Sequence, residues 1–126
     1  MANTPTVEEY LESIYVLEKD GYPVIGARLA ERLRVSPPTV TATLKRMRRD
    51  GLIEQDDRRE IRFTERGREM ADRLMRRHRL SERWLTDVLG IEWYKAHHEA
   101  CRLEHCISDE VESRLADVLG RPATCP

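Results

Sequence analysis

Apolar residues recur at helical spacing in the N-terminal part of the chain, in three blocks set apart by breakers. Tyr10, Leu11, Ile14, Tyr15 and Leu17 form the first stripe. Thr6-Val7-Glu8-Glu9 opens it as a capping-box pattern, and Asp20-Gly21 closes it. A short extended piece, Pro23 to Gly26, leads into a brief helix over Ala27 to Arg34, with Leu29, Ala30 and Leu33 inward. Ser36 then suits an N-cap and Pro37 the first helical position, where a missing N–H is no loss. The helix they open runs to Asp50 and stops at Gly51, with Val40, Leu44 and Met47 turned to the core.

Beyond Gly51 the period changes. Leu52 to Gln55 and Glu60 to Phe63 predict two strands, joined into a hairpin by the polar turn Asp56-Asp57-Arg58-Arg59. From Thr64 a heavily charged helical segment continues to Leu89-Gly90. Helices over Glu92 to Cys106 and Ser108 to Leu119 follow, and Gly120-Arg121-Pro122 breaks regular structure. Helix, helix, turn, helix, hairpin is the order of a winged helix-turn-helix. The expectation is therefore a mainly α chain: a winged helix-turn-helix over residues 1–72, a helical domain over 73–120, and a tail or linker over 121–126.

Composition narrows the class. Of 126 residues, 36% are charged and 40% hydrophobic, which suits a helix-rich protein with a modest core. No run approaches the roughly 18 apolar residues of a membrane helix, and no basic stretch followed by an apolar one opens the chain. A cytoplasmic protein is expected, with no membrane partner. Three cysteines without a secretory signal read as ligands or core residues rather than staples. The net charge of −1 conceals an asymmetry: residues 25–83 hold 17 Lys and Arg against 10 Asp and Glu, and the flanks are acidic. A basic middle between acidic ends assigns one face to a polyanion and another to cations or a partner subunit.

The second helix of a helix-turn-helix enters the DNA major groove by its N-terminal end. Here that end carries Ser36, Pro37, Pro38 and Thr39, then Thr41, Ala42 and Thr43. No long bidentate reader stands among them, so base discrimination is expected from apolar contacts with thymine methyls and from DNA shape. Hydroxyls and backbone N–H groups are left for phosphates. Lys45, Arg46, Arg48 and Arg49 continue the helix, Arg58 and Arg59 occupy the wing tip, and Arg28 opens the preceding helix near a DNA backbone.

Cys101, Glu104 and His105 stand at i, i+3 and i+4, a thiol, a carboxylate and an imidazole on one helical face, with His97 one turn earlier. His78 and Glu82 make an i, i+4 pair in the preceding helix, and Glu9 offers a carboxylate from the first. Each has another reading. Glu9 fits as the reciprocal partner of the Thr6 cap, Cys101 as a small buried residue, and His78 as part of a solvated basic run. His98 points about 100° away from His97 and is expected to be exposed; Cys106 is expected in core or interface, and Cys125 in an irregular tail.

Several separated segments resemble the diphtheria toxin repressor family of metal-dependent regulators, including its manganese-responsive members. They are Val7-Glu8-Glu9-Tyr10-Leu11, Ala30-Glu31-Arg32-Leu33 with Ser36-Pro37-Pro38-Thr39-Val40, His78-Arg79-Leu80-Ser81-Glu82-Arg83, and His97 to His105 followed by Ser108-Asp109-Glu110-Val111-Glu112. The resemblance implies a helical metal-binding and dimerisation domain with two neighbouring metal sites, one from His78, Glu82 and His97, the other from Cys101, Glu104, His105 and Glu9. It also implies a homodimer made by the last two helices, a palindromic double-stranded DNA operator, and a divalent metal co-repressor. Iron-type members carry Met where Glu9 stands, and manganese-type members carry Asp there and Glu at the position of Cys101. The chain thus mixes the two patterns. Carboxylates favour Mn²⁺ and Fe²⁺, while a thiolate accommodates Fe²⁺, Co²⁺ and Zn²⁺, so Mn²⁺ is expected slightly ahead of Fe²⁺, with Zn²⁺, Co²⁺ or Cd²⁺ binding in vitro. Longer relatives continue into a small β-barrel domain that adds ligands to the first site; the chain ends at Cys125-Pro126, in what resembles the linker.

Two rivals are weighed beside this. One is a winged-helix regulator that responds to a small molecule or to cysteine oxidation at Cys101. The other is a small metalloenzyme, for which no Gly-rich substrate loop or G-x-S-x-G nucleophile motif exists. No enzymatic activity and no small-molecule substrate are expected.

Overall fold

The structure, a computed structural model, describes residues 6–120. Tail residues 121–126, with Cys125 among them, lie outside the described residues. Six helices and one hairpin follow in order: α1 (Val7–Lys19), α2 (Gly26–Leu33), α3 (Pro37–Arg49), β1 (Ile53–Gln55), β2 (Ile61–Phe63), α4 (Glu65–Arg83), α5 (Trp93–Leu103) and α6 (Asp109–Val118). The chain divides into two compact units, Met1–Asp72 and Arg73–Pro126, the boundary falling within α4. Among the described residues no helix is long and apolar enough to cross a membrane.

In the first unit α1 and α3 begin where a side chain replaces a missing backbone partner, whereas α2, entered from Ile25, has no side-chain cap. Thr6 Oγ1 accepts from the Glu9 N–H and Ser36 Oγ from the Thr39 N–H, each at 3.3 Å. α1 and α3 end alike. After the caps Asp20 and Asp50, a glycine turns left-handed, and the next N–H reaches back five residues: Tyr22 to the Leu17 carbonyl, Leu52 to that of Met47, both at 3.0 Å. α2 packs on α1 and α3, and α3 on β1, around buried Ile14, Leu29, Val40, Leu44, Met47, Ile53 and Ile61. Burying each of these large side chains contributes about 1.5–3 kcal/mol.

The strands are shorter than the pattern suggests, three residues each, paired antiparallel with Ile53 opposite Phe63 and Gln55 opposite Ile61. Ile61 N also donates to the Val24 carbonyl at 2.8 Å, so the extended segment before α2 lines the hairpin as a third edge. This is a winged helix-turn-helix, with α3 in the recognition position and residues 56–60 at the wing tip.

The second unit holds the last turns of α4, then α5 and α6. α4 does not end at Arg83 but widens into a π-helical turn, Trp84–Val88. Thr86 Oγ1 donates to the Glu82 carbonyl at 2.7 Å, a back-bond that competes for the acceptor the regular helix would use. Leu85, Ala96 and Ala100 are buried together, flanked by Trp84, Ile91 and Leu103. Ala96 and Ala100, one turn apart, let α5 approach closely. Arg77 on α4 grips α6 through Asp109 and Glu112, with Nε 3.1 Å from the Glu112 carboxylate.

Candidate metal centre and nucleic-acid interface

In the second unit, α4 and α5 turn their polar faces to each other. His78 and Glu82 project from successive turns of α4, with His78 Nε2 2.9 Å from Glu82 Oε2. His97 and Cys101 do the same on α5, with Cys101 Sγ 3.8 Å from His97 Nε2. His97 Nδ1 lies 3.4 Å from Glu82 Oε1, and Cys101 Sγ 4.0 Å from His78 Nδ1. Glu104 closes the ring, its Oε2 2.6 Å from His78 Nδ1. His78, Glu82 and Glu104 are 3%, 6% and 1% exposed, a concentration of charge that would be costly without mutual neutralisation.

The spacing expectation fails at one point. α5 ends at Leu103, with Glu104 as its C-cap, so His105 and Cys106 lie in the turn beyond the helix rather than on its face. His105 still approaches: its Nε2 lies 3.5 Å from Glu104 Oε1. Cys106, expected in core or interface, is exposed, and His98 is exposed as expected. Glu9 is half-buried on α1 in the first unit.

His78 is the hub. Its two ring nitrogens face Glu82 and Glu104, one carboxylate from each of the two ligand sets that the resemblance implies. Burial pushes its pKa down, but hydrogen bonds to Cys101 and Glu104 and their negative charge outweigh it, and the value rises to about 11. In the metal-free chain His78 is therefore an imidazolium between two buried carboxylates. A raised pKa of this kind stabilises the fold fully below 6.5, the ordinary histidine value, and that contribution is lost as pH rises through about 11.

The donors fit a divalent cation. The ligand atoms of His78, His97 and Cys101 lie within 4.8 Å of one another, and so do those of His78, Cys101 and Glu104. Among the described residues Glu104 Oε1 is buried without a hydrogen-bond partner, and His105 Nε2, 3.5 Å away, does not complete one. An acceptor left so is unfavourable by about 1–3 kcal/mol or more, and a cation would satisfy it.

In the first unit, Ser36, Pro37, Pro38, Thr41 and Ala42 are exposed along the start of α3, and Thr39 is half-buried. Thr43 departs from the expectation. It is 3% exposed and points inward, its hydroxyl accepting from Arg46 Nη2 at 3.3 Å, because the helical period places it beside Leu44 and Met47 rather than on the outer row. Ser36 and Thr39 bond each other through their hydroxyls at 2.8 Å, and Thr41 Oγ1 donates to the Pro37 carbonyl. Arg46, Arg49, Arg58 and Arg59 are exposed; Arg28 is half-buried, its guanidinium 5.1 Å from the Tyr22 ring centroid. Sequence reasoning missed Gln55, which accepts from Arg48 and donates to the Arg59 carbonyl. A polar residue at a strand end gave no signal of that role.

Comparison with known proteins places these features together. Residues 3–61 match the family model described as iron dependent repressor, N-terminal DNA binding domain. Residues 64–126 match iron dependent repressor, metal binding and dimerisation domain. The iron-dependent repressor IdeR of Mycobacterium tuberculosis is 50% identical over 121 residues, 96% of this chain and 53% of that protein. The diphtheria toxin repressor of Corynebacterium diphtheriae is 52% identical over 121 residues, 96% of this chain and 54% of that protein. A solved manganese-dependent transcriptional repressor in complex with manganese superposes with a TM-score of 0.88 at 33% identity, over 96% of this chain and 56% of that one. The chain thus spans about half the length of the curated relatives it matches.

Proposed function

Because the chain belongs to the iron-dependent repressor family, we propose that it is a metal-dependent transcriptional repressor that binds a palindromic DNA operator as a homodimer. The observation that carries the metal half is the ring around His78: two carboxylates, two imidazoles and a thiol converge, and one buried carboxylate oxygen has no hydrogen-bond partner among the described residues. His78, Glu82, His97, Cys101 and Glu104 are the proposed ligands, with His105 and Glu9 added by the family resemblance. A bound divalent cation supplies positive charge to these carboxylates and holds their side chains in one arrangement.

A second copy of the chain is the proposed partner of the second unit. Trp93 and Val118 are 67% and 72% exposed, Val88, Leu89, Tyr94 and Val111 are exposed beside them in sequence, and α6 has no buried residue of its own. A helix with so little of its own apolar surface covered needs a partner. Two recognition helices in such a dimer would read half-sites about one DNA turn, roughly 34 Å, apart. A cation that favours the DNA-competent arrangement by about 1–3 kcal/mol changes operator affinity about 5- to 150-fold. The rival reading, a response to a small molecule or to thiol oxidation, is not favoured by the family match.

Mn²⁺ is proposed ahead of Fe²⁺ on the buried carboxylates and on the manganese-bound structural relative; Cys101 and the relatives named for iron pull the other way. The deciding experiment is binding to a duplex enriched from random DNA, with chelator, Mn²⁺, Fe²⁺ or Zn²⁺ at fixed ionic strength. A large saturable gain with metal is expected, and equal affinity in chelator and metal would sink the co-repressor reading. In the same assay Glu9→Ala and His105→Ala should each lose the metal gain while remaining dimeric in sedimentation. A full response in both would remove these two from the ligand set.

Acid should oppose the metal. Coordination by His78 must displace its proton, which is held up to about pH 11, so apparent metal affinity should rise about tenfold per pH unit across the neutral range. Titration in buffers of different ionisation enthalpy would count the protons released, and a flat pH dependence would exclude His78 as a ligand.

A further inference from the structure

The wing tip is held by more bonds than its length requires. Asp56 Oδ1 accepts from the N–H groups of Arg58 and Glu60, each at 2.9 Å. Asp56 N donates to the Glu60 carbonyl at 3.1 Å, and Arg59 N to the Asp56 carbonyl at 2.9 Å. Gln55 Nε2 reaches across the turn to the Arg59 carbonyl at 3.0 Å. Its Oε1 accepts from Arg48 Nη1, on the last turn of α3, at 2.5 Å. One amide therefore connects the recognition helix to the wing tip.

What it holds there is unusual. Arg59 has φ +62°, in the left-handed region, where a Cβ is disfavoured and glycine sits without penalty. A turn needed only for its shape would favour glycine. An exposed arginine kept in that conformation by its neighbours' hydrogen bonds points to a use for the guanidinium. Arg48, occupied with Gln55, is committed to the brace.

We propose that Gln55 is a positioning residue for DNA binding. Its amide clamps the Arg59 backbone to Arg48 and so sets the wing-tip guanidinium in register with α3, ready for a DNA phosphate. The inference rests on the DNA-binding reading above and adds how the second point of contact is pre-ordered. Fixing the backbone from which that side chain springs before binding removes part of an entropic cost that the complex would otherwise bear.

The test uses the full chain in Mn²⁺, the enriched duplex, and a series of salt concentrations. Gln55→Ala is expected to weaken binding about three- to tenfold. Arg59→Gly should weaken it at least as much and reduce the slope of log affinity against log salt by about one contact. Arg59→Gly should also raise the melting temperature, because glycine relieves the left-handed backbone, so lost affinity could not be ascribed to lost folding. The double variant should bind no more weakly than Arg59→Gly alone, a coupling that a purely structural glutamine would not produce. Full affinity in Arg59→Gly, or losses that multiply in the double variant, would overturn the proposal while leaving the repressor reading intact. Failure of the unmodified chain to bind any duplex in metal would bring down both.

Discussion

Replacing His78 by alanine is expected to abolish the metal-dependent gain in DNA affinity and to cost the metal-free chain about 3 kcal/mol of stability. The two effects have one origin. His78 places one ring nitrogen 2.9 Å from Glu82 and the other 2.6 Å from Glu104, and all three side chains are almost wholly buried. Removing the imidazolium strips two buried carboxylates of their shared counter-charge. Removing one partner of a buried ion pair costs about 3–5 kcal/mol, which sets the size of the expected loss. Glu82→Gln separates the two consequences. It keeps the shape and a hydrogen-bonding group beside His78 but removes a ligand, so metal response should fall with a smaller change in melting temperature. Isothermal titration with Mn²⁺ and chemical denaturation of both variants would check this. A saturable metal response surviving in His78→Ala would mean that the ring around it is a structural ion-pair network and that the metal binds elsewhere.

Caps and periodicity were legible because they are local. Thr6, Ser36 and Ser108 each accept a backbone N–H three residues on, and Gly21 and Gly51 end helices as the sequence suggests. Ligand spacing was legible for the pairs His78–Glu82 and His97–Cys101, because one helical turn stacks such residues on one face. It misled for His105, since Leu103 is the last helical residue and no glycine or proline there marks the end. That His78 would link both carboxylates was not readable, because it depends on how α4 and α5 face each other. The π-helical turn after Glu82 and the left-handed Arg34 and Arg59 also escaped notice: none involves the glycine or asparagine that ordinarily signals such backbone. Thr43 was misplaced by counting along the start of α3 instead of around it.

Gly67→Ala is expected to destabilise the first unit by about 2–3 kcal/mol, although helix propensity alone favours the alanine by about 1 kcal/mol. In the sequence this glycine is only a weak spot within a charged helical run. In the structure it occupies the first turn of α4, where a Cβ would stand 1.8 Å from the Leu52 carbonyl oxygen and 2.8 Å from its carbon. Neither atom can yield by a rotamer change. Leu52 is fixed on both sides, its N–H bonded to the Met47 carbonyl and its own carbonyl accepting from Thr64 N at 3.1 Å. Thr64 adds a second tie, donating to the Gly51 carbonyl at 2.6 Å and accepting from Gly67 N at 3.0 Å. The added methyl must therefore push α4 away from the turn that joins α3 to the hairpin, breaking those bonds and disturbing the seat of the recognition helix. A fall in melting temperature of roughly 10 °C or more corresponds to this loss in a unit of this size. Metal-dependent DNA affinity should weaken with it. A melting temperature unchanged or raised in Gly67→Ala would show that the approach of α4 to Leu52 is looser than the geometry states and that propensity governs the position.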